Sequence, residues 1–575
     1  MGQLYNSKGE KASWSELPEI VACDIETTGL DYAYDDINII QVGTSGEQYY
    51  TDEIDIETFK ELEKHKLIFH NGKFDTKFLA NKFGRLLDIY GDTMVMLHAM
   101  GWSESFGLKD SASKILHVEN WDIDVDIKQG MTPEMIQYAL KDVKYTYMLA
   151  DRLLEKMDDT DFKVYTNELR AYSAFRMVEL TGTYIGNIDK SDAIIEKMLL
   201  EKELEIGLNL DWVGSTKKLG KLLYDGMGLP VLARTSKGAP STARNILQDL
   251  GKSEKFCNDL VEFTKTKKLR QFFASWRKLQ IDGKIRPQFN IMARTGRTTS
   301  SNPNLQQVPQ NSYVRNMITA PPGWKFIECD YSQLELRCAS FCAQDPVMQH
   351  AYKHNEDLHA KTTYMLFGDT SNLSHDEQKR KRTQAKSCNF GLLYGMRAKS
   401  LCEYAKGMGV EMTPEVATEY RNKFFEGYPR LVPWHNECIQ FAESFGYSQT
   451  PGGRKRYLPD IFSTNFSKRS SAQRQSINSP VQGLGSDICV SALTKITEHP
   501  EYGNTFLIYG TVHDAILVIA KDEFVEHVAY DIIEKTMENP PVLKDIPGSD
   551  TLYLKADVEI GQSWGGGTNT WKQRD

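Results

Sequence analysis

In the segment IVACDIETTGL the carboxylates of Asp24 and Glu26 stand two residues apart, a spacing that on a β-strand points both to one face. Two like charges on one face repel, and divalent cations shared with a phosphate would turn that repulsion into binding. Two later segments bring further acids: LIFHNGKFD carries Asn71 and Asp75, and MTPEMIQYALKDVKYTYMLADRLL carries Tyr138 and Asp142. In the second of these, Thr132 and Pro133 have the chemistry of a helix start and the apolar residues recur at helical spacing. Tyr138 and Asp142, four apart, therefore share a face. Four acids and a tyrosine suit two-metal phosphodiester hydrolysis: one ion acidifies the attacking water, the second stabilises the leaving oxygen, and Tyr138 orients the water. Any one of these acids alone reads as an ordinary strand end or helix face; the set does not.

A second constellation lies further along. KFIECDYSQLELRCAS runs from a strand ending in Asp330 into a helix carrying Gln333, Glu335 and Arg337. FLIYGTVHDAILVIA has two strand-like apolar runs flanking His513 and Asp514 at a hairpin turn. Asp330 and Asp514, from separate strands, can cradle paired Mg2+ ions between a primer 3'-hydroxyl and a nucleoside triphosphate, for a reaction that needs positioning and charge neutralisation above all. Between them, KRTQAKSCNFGLLYG puts Arg382, Lys386, Phe390 and Tyr394 at successive i+4 steps, two cations followed by two aromatics on one helix face. Like charges four apart weaken a helix, and an anionic ligand reverses that effect. The face reads as a triphosphate held by Arg382 and Lys386, base or sugar stacked on Phe390, and Lys386 able to protonate the leaving pyrophosphate.

These residues need several cores to hold them. A chain of 575 residues is several times the usual domain length of roughly 100 to 200 residues. Its 40% hydrophobic and 26% charged residues are those of a folded globular protein, and no apolar run approaches the roughly 20 residues of a membrane span. MGQLYNSKGEKASWSELPEI lacks a signal-peptide core, so the chain is expected to stay where it is made, in the cytoplasm, which for a phage gene is that of the bacterial host. The nine cysteines then read as thiols, with Cys338 and Cys342 packed as helix neighbours rather than binding zinc. A net charge of -9 does not advertise a nucleic-acid binder, but basic clusters occur at 265–270, 379–382 and 454–456, and position decides their meaning. Beyond about residue 155 long amphipathic helices begin, broken by glycines between Thr181 and Gly186. KTKKLRQFFASWRKL interleaves cations with Leu269, Phe272, Phe273 and Trp276, one face to pack and one positive, as an arm gripping phosphates would have. SKGAPSTARNIL reads as a polar loop leading into a capped helix.

In order, DIETTG, NGKFD and YALKD resemble the three signatures of the DEDDy proofreading 3'-5' exonucleases, which have a ribonuclease H-like fold. ARTGRTTSSNPNLQQVP, DYSQLELR, KRTQAKSCNFGLLYG, RQSINSPVQG and TVHDAILV resemble the motif series of family A DNA polymerases, the class of bacterial DNA polymerase I and short phage replicative enzymes. The resemblance implies a multidomain chain of α/β and α+β class: an exonuclease domain over 1–155, then a right-hand polymerase domain over 156–575. Within the latter it implies a thumb at about 190–285, a palm at about 286–345 and 475–575, and fingers at about 346–474. It implies metal ligation by Asp24, Glu26, Asp75 and Asp142, water positioning by Tyr138, and primer-end contacts by Leu30 and Asn71; Asp92 has no role in it. In the polymerase it implies Asp330 and Asp514 as metal ligands, Arg382, Lys386 and His359 on the phosphates, and Gln333, Phe390 and Tyr394 at the nucleotide. Glu335 matches the family's steric gate against a 2'-hydroxyl. Arg297, Arg474, Asn478, Gln482 and His513 match contacts to primer-template DNA, which test pair shape through minor-groove acceptors without reading sequence. The implied cofactors are two Mg2+ ions in each site, with Mn2+ able to substitute. The implied partners are primer-template DNA, deoxynucleoside triphosphates and a processivity factor or replicative helicase–primase, with no membrane.

The match departs from its family in places. Ala515 stands where an acid usually follows the His-Asp pair and Thr511 replaces a usual glutamine; activity is expected to survive because Asp330 and Asp514 remain. The chain begins at the exonuclease, so no 5' nuclease activity is expected, and its size is that of a phage replicase. A single-subunit RNA polymerase would lack both the proofreading acids and the gate at Glu335. A decayed, non-catalytic DNA-binding chain would not be expected to spare both acid sets.

Overall fold

The structure, a computed structural model, describes residues 3–121, 132–207, 211–566 and 568–569; the end of the expected palm segment, 570–575, lies outside the described residues. β3 (Ile20–Thr27) is an inner strand of the first sheet, after β1 (Leu4–Asn6) and β2 (Lys11–Ala12). With β4 (Ile37–Gly43), β5 (Gln48–Thr51), β6 (Lys66–Phe69) and β7 (Gly91–Asp92) it forms a seven-stranded sheet of order β2-β1-β5-β4-β3-β6-β7. β3 pairs antiparallel with β4 and parallel with β6, so Val21, Cys23 and Ile25 are buried while Asp24 and Glu26 emerge together between them. The helix Pro133–Lys156 starts as its sequence predicts: Thr132 Oγ1 caps Met135 N and Pro133 takes the first turn. This helix packs on β3 and β4, which brings its acidic face to theirs.

The helix Asp159–Thr181 joins this unit to the rest. Two glutamates on it, Glu168 and Glu179, are buried, and an eleven-residue separation is three turns, so they lie on one side. Glu179 receives the ammonium groups of Lys73 and Lys77 at 2.6 Å each, and the Phe289 amide at 2.6 Å. Lys73 and Lys77 belong to the helix Lys73–Phe83, which carries Asp75. Phe289 belongs to a short strand of the second half of the chain. Glu168 receives His98 at 2.8 Å and also pairs with Arg454.

In the second half the helices Ile188–Ile206 and Lys255–Leu279 pair. Leu269, Phe273 and Trp276 are buried as expected, Phe272 only partly. The face expected to be positive is less so: Arg270 is bound to Asp192 at 2.7 Å and Arg277 to Asp189 at 2.8 Å. The helix Arg244–Leu250 does not have the cap its sequence suggests, since Ala243 sits at the N-cap with no side-chain hydrogen bond. A five-stranded antiparallel sheet has Trp324–Tyr331 at its centre, between Ala515–Lys521 and Ala556–Gly561, with Phe506–Val512 beyond Ala515–Lys521. Its register sets Asp330 opposite Ala515 and Val512 opposite Ala515, so His513 and Asp514 form a two-residue turn beside Asp330, with His513 at φ +57. The helix Phe466–Thr497 crosses behind, with Pro480 inside it. Proline has no N–H to give the Ser476 carbonyl, and the Ser448 hydroxyl donates to that carbonyl instead at 3.1 Å. Among the described residues no helix is long and apolar enough to cross a membrane.

Glu179→Ala would leave Lys73 and Lys77 buried without their carboxylate. The chain is expected to lose about 3–5 kcal/mol of stability, the cost of unpairing a buried charge, measured by urea denaturation; a change inside the scatter of surface substitutions would contradict this.

Candidate active sites

Ligand oxygens of Asp24, Glu26 and Asp142 lie within 4.8 Å of one another. β3 supplies the first two and the capped helix the third, as the sequence predicts. Asp75 differs from its expected place in this group. It is buried beside the three, but its Oδ1 accepts the Ile25 amide at 3.1 Å, the amide lying between the two strand acids. Burial, and next the neighbouring Asp75, Asp142 and Glu26, pushes Asp24 well above the usual carboxylate range. Burial and Asp142 raise Glu26 to about 7, and burial raises Asp75 to about 8 against the Ile25 hydrogen bond. An all-oxygen donor set too crowded to ionise fully in water fits hard divalent cations of the Mg2+ or Mn2+ kind.

Three residues of this site were not legible in the sequence. The Trp121 indole donates to Asp142 Oδ1 at 2.7 Å, and the Lys109 ammonium donates to the Tyr138 hydroxyl while lying 4.4 Å over its ring. Both are close only through tertiary folding, and no spacing signals them. Asp92, which has no role in the family resemblance, gathers the amides of Asn71 at 3.3 Å, Gly72 at 2.7 Å and Met94 at 2.9 Å. It thereby holds Asn71 at φ +67, with the Asn71 side-chain oxygen accepting the Tyr172 hydroxyl. Leu30 stands out from the surface at 87% exposure just beyond the acids' strand.

A cavity of about 780 Å³ opens in the second half, lined by Arg297, Gln333, Glu335, His359, Lys386, Phe390, Gln482, His513 and Asp514. Six separated segments thus converge on one chamber. Asp330, still open to solvent at the strand end, is raised to about 8 by its enclosure in the cleft and then by Asp514; Asp514 is raised as well, chiefly by burial. Two carboxylates in that state, from adjacent strands, fit the same class of cation. Glu335 pairs with the Arg297 guanidinium and accepts the Tyr394 hydroxyl at 3.1 Å. His359 is buried and held low, to about 4, by that burial; its Nδ1 meets the Asn389 amide at 2.8 Å.

Tyr394, Arg382, Arg474 and Asn478 are not among the residues that line the chamber. Tyr394 is not the last member of a continuous helix face: the helix His375–Leu393 ends one residue earlier and Tyr394 caps it at φ -101, turning its hydroxyl to Glu335. Arg382 is turned away to Asp357 at 2.7 Å. Asp357 is a hub with no motif signal: it caps the helix Leu358–Phe367, accepts the Gln333 amide at 3.2 Å, and is kept below its ordinary range because Arg382 outweighs burial. Arg474, Asn478 and Gln482 follow one another at i+4 steps on the long helix and lead out of the chamber; the Asn478 Oδ1 is buried without a partner among the described residues.

Comparison with known proteins follows this division. The family described as "DNA polymerase family A" matches residues 190–566, and that described as "3'-5' exonuclease" matches residues 5–158. DNA polymerase I of Pseudomonas aeruginosa is 31% identical over 446 residues, covering 74% of this chain and 47% of its own length. The DNA polymerase of Bacillus phage SP01 is 32% identical over 375 residues, covering 61% and 40%. The chain spans about half the length of these curated relatives. The solved POL domain of Pol1 from M. smegmatis, in complex with DNA primer-template and dNTP, shares the fold with a TM-score of 0.81 at 22% identity, covering 95% of this chain and 96% of that one.

A carboxyl group raised by burial and then by its neighbours binds its proton more tightly in the folded chain than in the unfolded one. Its contribution to stability is therefore present below the unfolded value and is lost as pH rises through about 7 for Glu26 and about 8 for Asp75 and Asp330. Mg2+ is expected to raise the melting temperature more at about pH 8 than at about pH 6, and Asp24→Asn to shrink that difference. Thermal denaturation with and without Mg2+ measures it; an equal rise at both pH values would contradict the assignment.

Proposed function

The chain belongs to DNA polymerase family A, and on that premise we propose that it extends a DNA primer along a template and trims the primer's 3' end with its own proofreading exonuclease. The observation that carries this is the single chamber in which Asp514, Lys386, Phe390, His359 and Glu335 meet from four distant segments, while a second carboxylate set stands in a separate sheet. The domain division proposed with it is an exonuclease domain over 1–155 and a polymerase domain over 156–575, with thumb about 190–285, palm about 286–345 and 475–575, and fingers about 346–474. The helix Asp159–Thr181 falls between the two matched stretches and joins them.

In this reading Asp330 and Asp514 hold one pair of Mg2+ ions and Asp24, Glu26, Asp75 and Asp142 another, with Mn2+ able to substitute. Bound there, the ions would supply charge neutralisation and acidification of water or hydroxyl. The protein's own groups do the rest. Lys386 meets the triphosphate from the fingers helix and gives a proton to the leaving pyrophosphate; Arg382 joins it on release from Asp357. Phe390 stacks under the incoming base or sugar, with Gln333 and His359 beside the phosphates and Tyr394 at the template side. Arg297, Arg474, Asn478, Gln482 and His513 line the route of primer and template. In the exonuclease, Tyr138 orients the attacking water, with its hydroxyl fixed by Lys109, and Leu30 and Asn71 meet the frayed primer end.

Glu335, braced by Arg297 and Tyr394, fills the space a ribose 2'-hydroxyl would need, which favours deoxynucleotides by exclusion. Ala515 lies buried directly opposite Asp330, so an acid there would add a third carboxylate to the pair; its absence relieves repulsion and leaves the two ligands in place. A phage replicative role, in the cytoplasm of a bacterial host, finds support in one phage relative, whereas bacterial DNA polymerase I relatives predominate among the similar proteins.

Extension of a labelled primer on a tailed template with Mg2+ tests the whole reading. Wild type is expected to lengthen the primer with deoxynucleotides and shorten it without them. Asp514→Ala should lose only lengthening and Asp24→Ala only shortening, each by about a thousandfold or more. Loss of both activities in either variant would sink the assignment of two separate sites. Phe390, a bare ring without a hydroxyl to stand in for a missing sugar 3'-hydroxyl, is expected to make the enzyme discriminate against dideoxynucleotides. Phe390→Tyr should relax this by about a hundredfold or more in competitive incorporation, and equal use of both by wild type would refute it.

A further inference from the structure

The gate at Glu335 depends on a loop that has no ladder of its own. Arg297, which holds Glu335, lies in the irregular stretch between the paired strands Gln288–Asn290 and Thr299–Ser301. Its side chain is 53% exposed, so little packing guides it and the loop backbone sets the point from which its guanidinium reaches Glu335. The loop is pinned from the exonuclease side. Gly296 N closes a tight turn on the Ala293 carbonyl at 2.7 Å, and His98 Nε2 meets that same carbonyl at 3.0 Å. The Ser103 carbonyl takes the neighbouring Arg294 at 3.1 Å. Gly296 is at φ +72, and a Cβ there would lie 2.7 Å from the Arg454 guanidinium carbon, so the guanidinium rests directly against the turn.

That guanidinium is held in its turn. Arg454 bonds Asp487 through Nε at 3.1 Å and pairs with Glu168 on its other side, and Glu168 accepts from His98 Nδ1 at 2.8 Å. The His98 ring is buried with both nitrogens facing acceptor oxygens, one on the helix that joins the two domains and one on the Arg297 loop. A buried hydrogen-bonded network restricts its partners' positions, and the loss of one member frees the rest to shift.

We propose that His98 and Glu168 are positioning residues for the polymerase site: through Arg454 and the Ala293–Gly296 turn they set Arg297 and hence Glu335, so that a residue of the exonuclease domain governs the exclusion of ribonucleotides. This rests on the polymerase reading above. A gate acts by occupying one volume, and a displacement of about 1 Å is enough to open it. The binding of deoxynucleotides does not need that volume filled, so their use changes little when the gate moves.

The test compares single-nucleotide extension with deoxy- and ribonucleoside triphosphates by wild type, His98→Phe, His98→Gln and Glu335→Ala in the full chain, alongside primer shortening and thermal melting. His98→Phe keeps the ring and loses both hydrogen bonds; His98→Gln keeps an amide able to reach the Ala293 carbonyl. His98→Phe is expected to lower the ratio of deoxy to ribo kcat/KM by about ten- to a hundredfold through a rise in ribonucleotide use, with His98→Gln restoring most of it. If His98→Phe does not fold, Glu168→Gln, of nearly the same volume, carries the same expectation. Glu335→Ala losing sugar selectivity while His98→Phe and Glu168→Gln keep it would overturn the proposal and spare the polymerase reading. So would a parallel fall in both rates with a lowered melting temperature, the mark of a merely structural role. A wild type that extends with neither sugar would overturn the polymerase reading itself and this inference with it.

Discussion

Carboxylates brought together from different segments repel one another, and both sites of this protein are built on holding them together regardless. Asp24 and Glu26 share a strand face with Asp142 arriving on a packed helix, and Asp330 meets Asp514 across a strand pair. Burial and mutual repulsion raise these groups far above ordinary carboxylates, so each site is a local loss of stability in the bare chain. The surrounding structure has to supply the difference. It does so with inner strands paired on both edges and a two-residue turn fixed by register.

The joint between the two halves obeys the same logic with the sign reversed. The helix Asp159–Thr181 buries Glu168 and Glu179 and surrounds each with partners from both sides: Lys73, Lys77 and the Phe289 amide at Glu179, His98 and Arg454 at Glu168. Such pairs contribute little net stability compared with an apolar core, because desolvation offsets the attraction. What they contribute is geometry, since a buried charge accepts only a narrow range of partner positions. The helix bearing Asp75 and the loop bearing Arg297 are each tied to this one rod, so the two sites keep a fixed relation although their chemistry is separate.

The chamber is likewise organised before any ligand arrives. Glu335 is braced from two sides, His359 is buried as a neutral ring against Asn389, and Asp357 keeps Arg382 in reserve while capping a helix. Arg382 is the exception to this preorganisation, since Asp357 holds it away from the chamber and an incoming anion would have to draw it off. An anion of higher charge at the chamber mouth outcompetes a single carboxylate for a guanidinium.

The acids and cations of both sites could be read from the sequence because local physics fixes their spacing. A period of two puts Asp24 and Glu26 on one face, a period of 3.6 aligns Tyr138 with Asp142, and strand-like runs on either side of His513 and Asp514 require a turn. The same rules misjudged Tyr394, because they do not say where a helix stops, and they overstated the positive face of Lys255–Leu279, because its acidic partners lie on another helix. Trp121, Lys109, Asp357 and the network of His98, Glu168, Arg454 and Asp487 left no sequence signal at all. Their roles come from partners tens to hundreds of residues away, brought within hydrogen-bond distance by the packing of whole elements. The sequence by itself thus determined which groups could do chemistry and on which elements they ride. Tertiary structure alone decided what braces them, because hydrogen bonds and ion pairs act over a few ångströms and take no account of separation along the chain.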